Sequence, residues 1–208
     1  MNRLNIFAVV AVWTFLAVGI LPWTAIAASE SPSSIEQTFQ KAKQDYLEKN
    51  MKSASEQIQK SASFMKAEAA NASDKGKAAL NASAKELEKL ADDVKKGTVT
   101  SVKRMEEIFA RAYVALAADS HIKSTESWAK KEKAKAGEAL DSANQYLEYS
   151  FSWAGQKIET GTNNAMKKSR ELSLKLKKKG SVVAEDVGKG LRDAGNEIEK
   201  FGKKIAPQ

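Results

Sequence analysis

The chain has 208 residues and a formal net charge of +8 at pH 7, from 34 Lys and Arg against 26 Asp and Glu. It contains no cysteine, which excludes a disulfide, a thiolate metal site, a cysteine nucleophile and a lipid-modified cysteine. Three prolines in a composition led by Ala, Lys, Glu, Ser and Leu point to long helices.

Residues 1–28 are a separate object. Arg3 supplies a short basic start, 6–20 is an apolar run interrupted around Gly19 and Pro22, and Ala25-Ile26-Ala27 is a small-x-small cleavage pattern. This is the layout of a secretory signal peptide, cut after Ala27 or Ala28. The mature chain is therefore expected in the periplasm or secreted. The competing reading is an uncleaved anchor, since the run approaches the length that spans a bilayer.

After a short linker, Ser33 and Glu36 form a capping-box pattern. A first helix follows, with Ile35, Phe39, Ala42 and Tyr46 on one face. Asn50 is expected to end it, because asparagine tolerates the left-handed conformation of helix C-termini; the alternative is one continuous helix from 34 to 96. A second helix is predicted over 51–96. Its seam steps by three or four from Met51 through Ile58, Met65, Ala72, Leu87 and Leu90 to Val94, with small residues over 69–83, and Gly97 closes it. A third helix is predicted over 100–119, with Val102, Met105, Phe109, Ala112 and Leu116 on one face, ending at Asp119-Ser120-His121. A fourth carries Trp128, Leu140, Leu147, Phe151 and Ile158 and extends toward Leu176, with a bend expected over 161–164.

The first half resembles the second at an offset of 70 residues: Glu36 matches Glu106, Phe39 matches Phe109, Ala42 matches Ala112 and Lys60 matches Lys130. Neither half covers its own apolar stripe. The expected fold is thus all-α: an elongated antiparallel helical bundle of two short–long αα-hairpins, an internal duplication, plus a C-terminal amphipathic helix. The domain reading is 1–28 signal peptide, 29–160 helical bundle and 161–208 basic helical extension.

Nearly all the basic excess sits in the last 43 residues, where 12 Lys and Arg face 6 Asp and Glu. The run Lys175-Leu176-Lys177-Lys178-Lys179 precedes Gly180. Beyond it a seven-residue repeat places Ala184, Leu191, Ile198 and Ile205 in one phase and Val187, Ala194 and Phe201 in another. Gly188, Gly195 and Gly202 share a third phase, and their cost in helix propensity calls for close approach to another helix or a flat surface.

No phosphate loop, nucleophile elbow or zinc helix motif is present. Asp92-Asp93 and Glu106-Glu107 are neighbours in sequence and point apart on a helix. A non-enzymatic protein without a cofactor is expected. His121, the sole histidine, aligns with Met51 across the repeat, so a Met/His haem pair of the four-helix cytochrome kind is a competing reading. The favoured reading makes them a polar turn residue and a seam residue. Tyr146, Tyr149 and Trp153 are the densest aromatic group. They fill the core, or they form a patch for a protein partner or for self-association. Lys175, Lys177, Lys178, Lys179 and Phe201 are the candidates for an anionic membrane or envelope polymer, unless the tail docks back on the bundle. Export argues against nucleic acid.

Two resemblances rest on particular residues. The tail from Gly180 to Ile205, with Val187-Gly188-Lys189-Gly190 and Ala194-Gly195-Asn196-Glu197-Ile198, is similar to entericidin-type envelope peptides. Those peptides carry a lipoprotein cysteine that this chain lacks, so lipid anchoring is not implied. Ala110-Arg111-Ala112-Tyr113-Val114-Ala115-Leu116, followed by an Ala/Lys/Glu helix, resembles the YfdX-type periplasmic helical stress proteins. Both resemblances imply a role in envelope structure or stress. The resulting expectation is an exported helical binding or scaffold protein of the bacterial envelope, with anionic-surface binding through the tail as the alternative.

Overall fold

The computed structural model describes residues 32–99, 101–178 and 180–207; the proposed signal peptide and Lys179 lie outside them. The described residues form an all-α bundle of seven helices: α1 (Pro32–Leu47), α2 (Met51–Ala70), α3 (Asp74–Lys95), α4 (Val102–Ala129), α5 (Lys133–Trp153), α6 (Thr160–Lys177) and α7 (Ala184–Lys204). Among the described residues, no helix is long and apolar enough to cross a membrane.

Helix α4 is the spine. It packs on α1, α3, α5 and α7, and residue pairs fix α1, α3 and α5 as antiparallel to it. Against α1, Lys43 bridges Glu106 while Glu36 meets Tyr113. Against α3, Asp93 pairs with Arg104 and Glu86 with Arg111. Against α5, the Ser150 and Ser124 hydroxyls donate to the Ala110 and Ala136 carbonyls, both at 2.7 Å. The predicted seams are the buried faces: Ile35, Phe39, Ile58, Met65, Leu87, Leu90, Met105, Phe109 and Leu116 share one core. A smaller core joins Ala136 and Leu140 of α5, Leu176 of α6, and Val187, Leu191 and Ala194 of α7. Met166, Ile198 and Phe201 belong to the main core, so the basic tail docks along the bundle.

The breaks at Asn50 and Gly97 are where they were expected, although Lys49 takes the left-handed position and Asn50 caps α2; the others are not. The predicted single helix over 51–96 is two, α2 and α3. The three/four seam continues through the turn, but Asn71 ends α2 and the Ser73 hydroxyl caps α3 by accepting from the Gly76 N–H at 3.4 Å. The expected end at Asp119-Ser120-His121 is the interior of α4. These polar residues look like a breaker, yet Asp119 and Ser120 are buried against neighbouring helices and tertiary packing overrides local preference. The bend expected over 161–164 lies over 154–159 instead, where Gly155 has φ +60°.

These shifts remove the two-hairpin duplication as a structural unit. Asn50 lies in a turn, whereas its partner at offset 70, Ser120, lies mid-helix; the 130–132 turn maps onto the middle of α2. The matched residues are nevertheless joined in space, since the Phe39 and Phe109 rings stack with centroids 4.1 Å apart.

Five helices end in the same hydrogen-bond pattern. The N–H of Asn50, Thr98, Glu132, Gln156 and Gly180 donates to the carbonyl five residues earlier, of Asp45, Asp93, Ser127, Phe151 and Lys175. This is the Schellman motif. In the first four the left-handed position is Lys49 (φ 61°), Gly97, Lys131 (φ 62°) and Gly155.

Candidate functional site

The aromatic group turns inward. Trp153 is buried and meets Phe109 and Phe39 edge-on, with centroids 5.1 and 6.2 Å apart. Tyr146 is buried and Tyr149 half-buried, and both pack on Tyr113. Phe201 is buried and stacks on Phe151 at 3.7 Å. Tyr146, Trp153 and Phe201 are thus core residues and offer no partner surface; their apolar area is better covered by the bundle than by water.

At the edge of this core lies a residue the sequence did not single out for it. Glu36 Oε2 accepts from the Tyr113 hydroxyl at 2.7 Å and from Trp153 Nε1 at 2.9 Å. Oε1 accepts from Gln40 at 2.7 Å. One carboxylate therefore ties α1 to α4 and α5. Burial, reinforced by the Glu36 hydrogen bond, pushes the Tyr113 hydroxyl far above the usual phenol range. The capping-box signal assigned Glu36 a local role, and only the three-helix junction reveals this one.

Met51 and His121 are not brought together. Met51 follows the turn after α1, whose Tyr46 hydroxyl donates to the Val99 carbonyl just before α4. From the start of α4 to His121 is about 28 Å at 1.5 Å per residue. His121 Nε2 is instead 2.8 Å from the Leu191 carbonyl of α7. The haem pair has no shared site.

A second unforeseen cluster joins α2, α3 and α4. Asp119, 1% exposed, bridges Lys123 at 2.7 Å, and Lys123 also reaches Glu68 at 3.3 Å. The carboxylate lies against the first turn of α3, where a β-carbon on Gly76 would overlap Oδ1. The helix N-terminus favours a negative charge there. Burial pushes the Asp119 carboxyl above the usual carboxylate range, and Lys123 opposes the rise. Burial likewise raises the Tyr146 hydroxyl, with nearby Glu68 adding to it. These contacts fasten helices; they do not form a cleft.

The basic candidates divide. Lys177 bridges Asp141 at 2.6 Å and so fastens α6 to α5. Lys175 and Lys178 are exposed. Ion pairs in α6 and α7 use Arg170, Lys177, Lys200, Lys203 and Lys204. Among the described residues, exposed Lys167, Lys168, Lys175 and Lys178 have no carboxylate within ion-pair distance. Two large apolar side chains stand out beside them: Leu174 at 48% and Val183 at 63% exposure. Lysines spaced along the outer face of α6 thus end at an apolar corner, the α6–α7 connection. A groove of about 370 Å³ runs from that corner between α6 and α7.

No family model, curated protein or solved structure matches the chain.

Proposed function

We propose that the protein is a non-enzymatic helical protein of the bacterial envelope that binds an anionic phospholipid surface through the outer face of α6 and the α6–α7 corner. The observation that carries this reading is the row of uncompensated lysines leading to exposed Leu174 and Val183. Lysines near an anionic leaflet contribute about 1 kcal/mol each, and an apolar tip adds shallow insertion. Among the described residues, the aromatic candidates for a protein partner, Tyr146, Trp153 and Phe201, are buried. Export, inferred from the pattern of residues 1–28, supplies the setting.

Flotation with phosphatidylglycerol vesicles tests the reading. The mature chain is expected to float with such vesicles at low salt and to be released at high salt. Lys167→Glu with Lys178→Glu, and separately Leu174→Ser, should each weaken it. Wild-type protein that stays in the dense fraction at low salt would sink the proposal. Mass measurement of the exported protein checks cleavage after Ala27 or Ala28.

A further inference from the structure

The corner where α2, α3 and α4 meet holds a buried charge that the lysine face of α6 does not use. Asp119 lies mid-helix in α4 and is 1% exposed. Its two carboxylate oxygens have different surroundings. Oδ2 is 2.7 Å from Lys123 Nζ. Oδ1 is buried and has no hydrogen-bond partner among the described residues. It lies against the first turn of α3 at Gly76, where a β-carbon would overlap it. The Gly76 N–H is already given to the Ser73 hydroxyl. The helix therefore closes over Oδ1 without donating to it.

The charged neighbours do not make up the deficit. On α4, Lys123 divides its ammonium between Asp119 and Glu68 of α2, the latter at 3.3 Å, and Glu126 adds a like charge. On α5, the buried Tyr146 hydroxyl brings no positive charge. On α3, Asp74 and Lys75 flank the contact and are exposed, and the N-terminal turn adds only a partial positive charge. A buried carboxylate with one oxygen unsatisfied is costly when ionised and much less so when neutral. Burial accordingly makes the folded chain hold the Asp119 proton more tightly, with Lys123 opposing.

We infer that Asp119 is a proton-operated clasp between α4 and α3. With the proton bound, the first turn of α3 seats on α4 at Gly76, and Lys123 turns wholly to Glu68, so α2 stays fastened. With the proton lost, the buried charge is relieved by local opening: the 71–73 turn and the first turn of α3 lift and admit water to Oδ1. The closed state binds more protons than the open one above the ordinary aspartate value of about 3.9. The clasp is thus fully set below that value and weakens as pH rises through the folded one. Glu159 and Glu199, held low by Lys200 and Lys203, act with the opposite sign, so local exchange isolates the clasp where global unfolding does not. The inference is independent of the surface reading.

The test uses the whole mature chain. Carboxyl-carbon NMR on labelled aspartate, assigned with Asp119→Asn, is expected to place the Asp119 midpoint above the ordinary aspartate value. Hydrogen exchange is followed at amides 77–80, the first helical bonds of α3, beginning with the Lys77 N–H to the Ser73 carbonyl at 2.7 Å. Corrected for intrinsic rate, their opening should rise at least roughly fivefold from about pH 5 to about pH 8. Asp119→Asn keeps the shape without the charge and should leave these amides closed across that range. Lys123→Met removes the opposing charge and should raise the Asp119 midpoint further, which gives a second reading if the asparagine variant misfolds. Histidine also titrates in this range, but the sole histidine, His121, meets α7; His121→Asn should leave the response of 77–80 in place. An Asp119 midpoint at or below the ordinary value, a midpoint unmoved by Lys123→Met, or pH-independent opening at 77–80 would overturn the inference. So would a response that persists in Asp119→Asn or vanishes in His121→Asn.

Discussion

The imidazole of His121 lies in a notch left by Gly195. A β-carbon at 195 would stand 2.7 Å from Cε1, while Nε2 is 2.8 Å from the Leu191 carbonyl one turn earlier. Nε2 faces an acceptor, so it carries the proton. The glycine phase of the tail thus has the cause its spacing called for at this position, close approach to a neighbouring helix. Gly202 repeats it, since a β-carbon there would meet Val114 Cγ1 at 3.1 Å. Gly195→Ala should cost about 1–3 kcal/mol by overpacking and loosen α7 from α4. In a double-mutant cycle with His121→Ala, measured by urea unfolding, a coupling of at least about 0.5 kcal/mol is expected. Strict additivity would show that ring and glycine do not meet in solution.

Glu36 offers a sharper stability test. Glu36→Ala strands the Tyr113 hydroxyl and the Trp153 indole N–H, each an unsatisfied group costing about 1–3 kcal/mol. Tyr113→Phe removes one donor while leaving the carboxylate its other partners, and should cost less. Urea midpoints rank the two variants. If Glu36→Ala is as stable as wild type, the three-helix junction is not held by this carboxylate.

Glycines that look alike in the sequence should respond in opposite directions. At Gly137 a β-carbon would stand 2.7 Å from both Lys177 N and Ser173 O, and backbone atoms cannot rotate aside. Gly137→Ala should therefore cost about 1–3 kcal/mol and displace α6. Gly161 is helical, and a β-carbon there would meet nothing within 4 Å. It should accept alanine with a gain of a few tenths to about 1 kcal/mol. Thermal unfolding of the two variants decides it.

Alkaline pH should unfold the bundle through groups whose protons the folded state retains. Tyr113 and Tyr146 are both raised by burial, and Lys123 is raised by Asp119 and Glu68 against the opposing effect of burial. In each case the native state binds more protons than the unfolded chain above about pH 10, so stability falls as pH rises. It is fully present below the unfolded values and is lost through the folded ones. Absorbance titration at 295 nm, run with circular dichroism, should show part of the tyrosine ionisation arriving only with loss of helix. Tyr113→Phe should shrink that part. Complete ionisation of a still-helical protein would contradict the burial of these rings.

Much of the interior was legible in the sequence. The faces built on Phe39, Ile58, Leu87 and Phe109 follow from three/four spacing, and Gly97 announced the end of α3. The turn after α1 was expected at Asn50, but there and at 131 lysine rather than glycine or asparagine holds the left-handed position, and at 131 no residue type advertised a turn. Asp119 was misread as a stop for a related cause. A buried carboxylate in a helix makes sense only once the N-terminus of α3 and Lys123 lie beside it. Asn71 and Ser73 did carry a capping signal, masked by a seam of small residues that continued in phase through the turn.

The sequence by itself determined that the chain is all-α, which face of each segment is apolar, and that the basic excess collects at the C-terminal end, because composition and periodicity act locally. Only the tertiary structure decided where the helices end, that Tyr146, Trp153 and Phe201 point into the core, and that Lys175 and Lys178 stay free while Lys177 is paired. The physical reason is that a 3.6-residue period defines a face without naming its partner. Which apolar face meets which, and therefore which charges are left exposed on α6, depends on contacts between residues tens of positions apart.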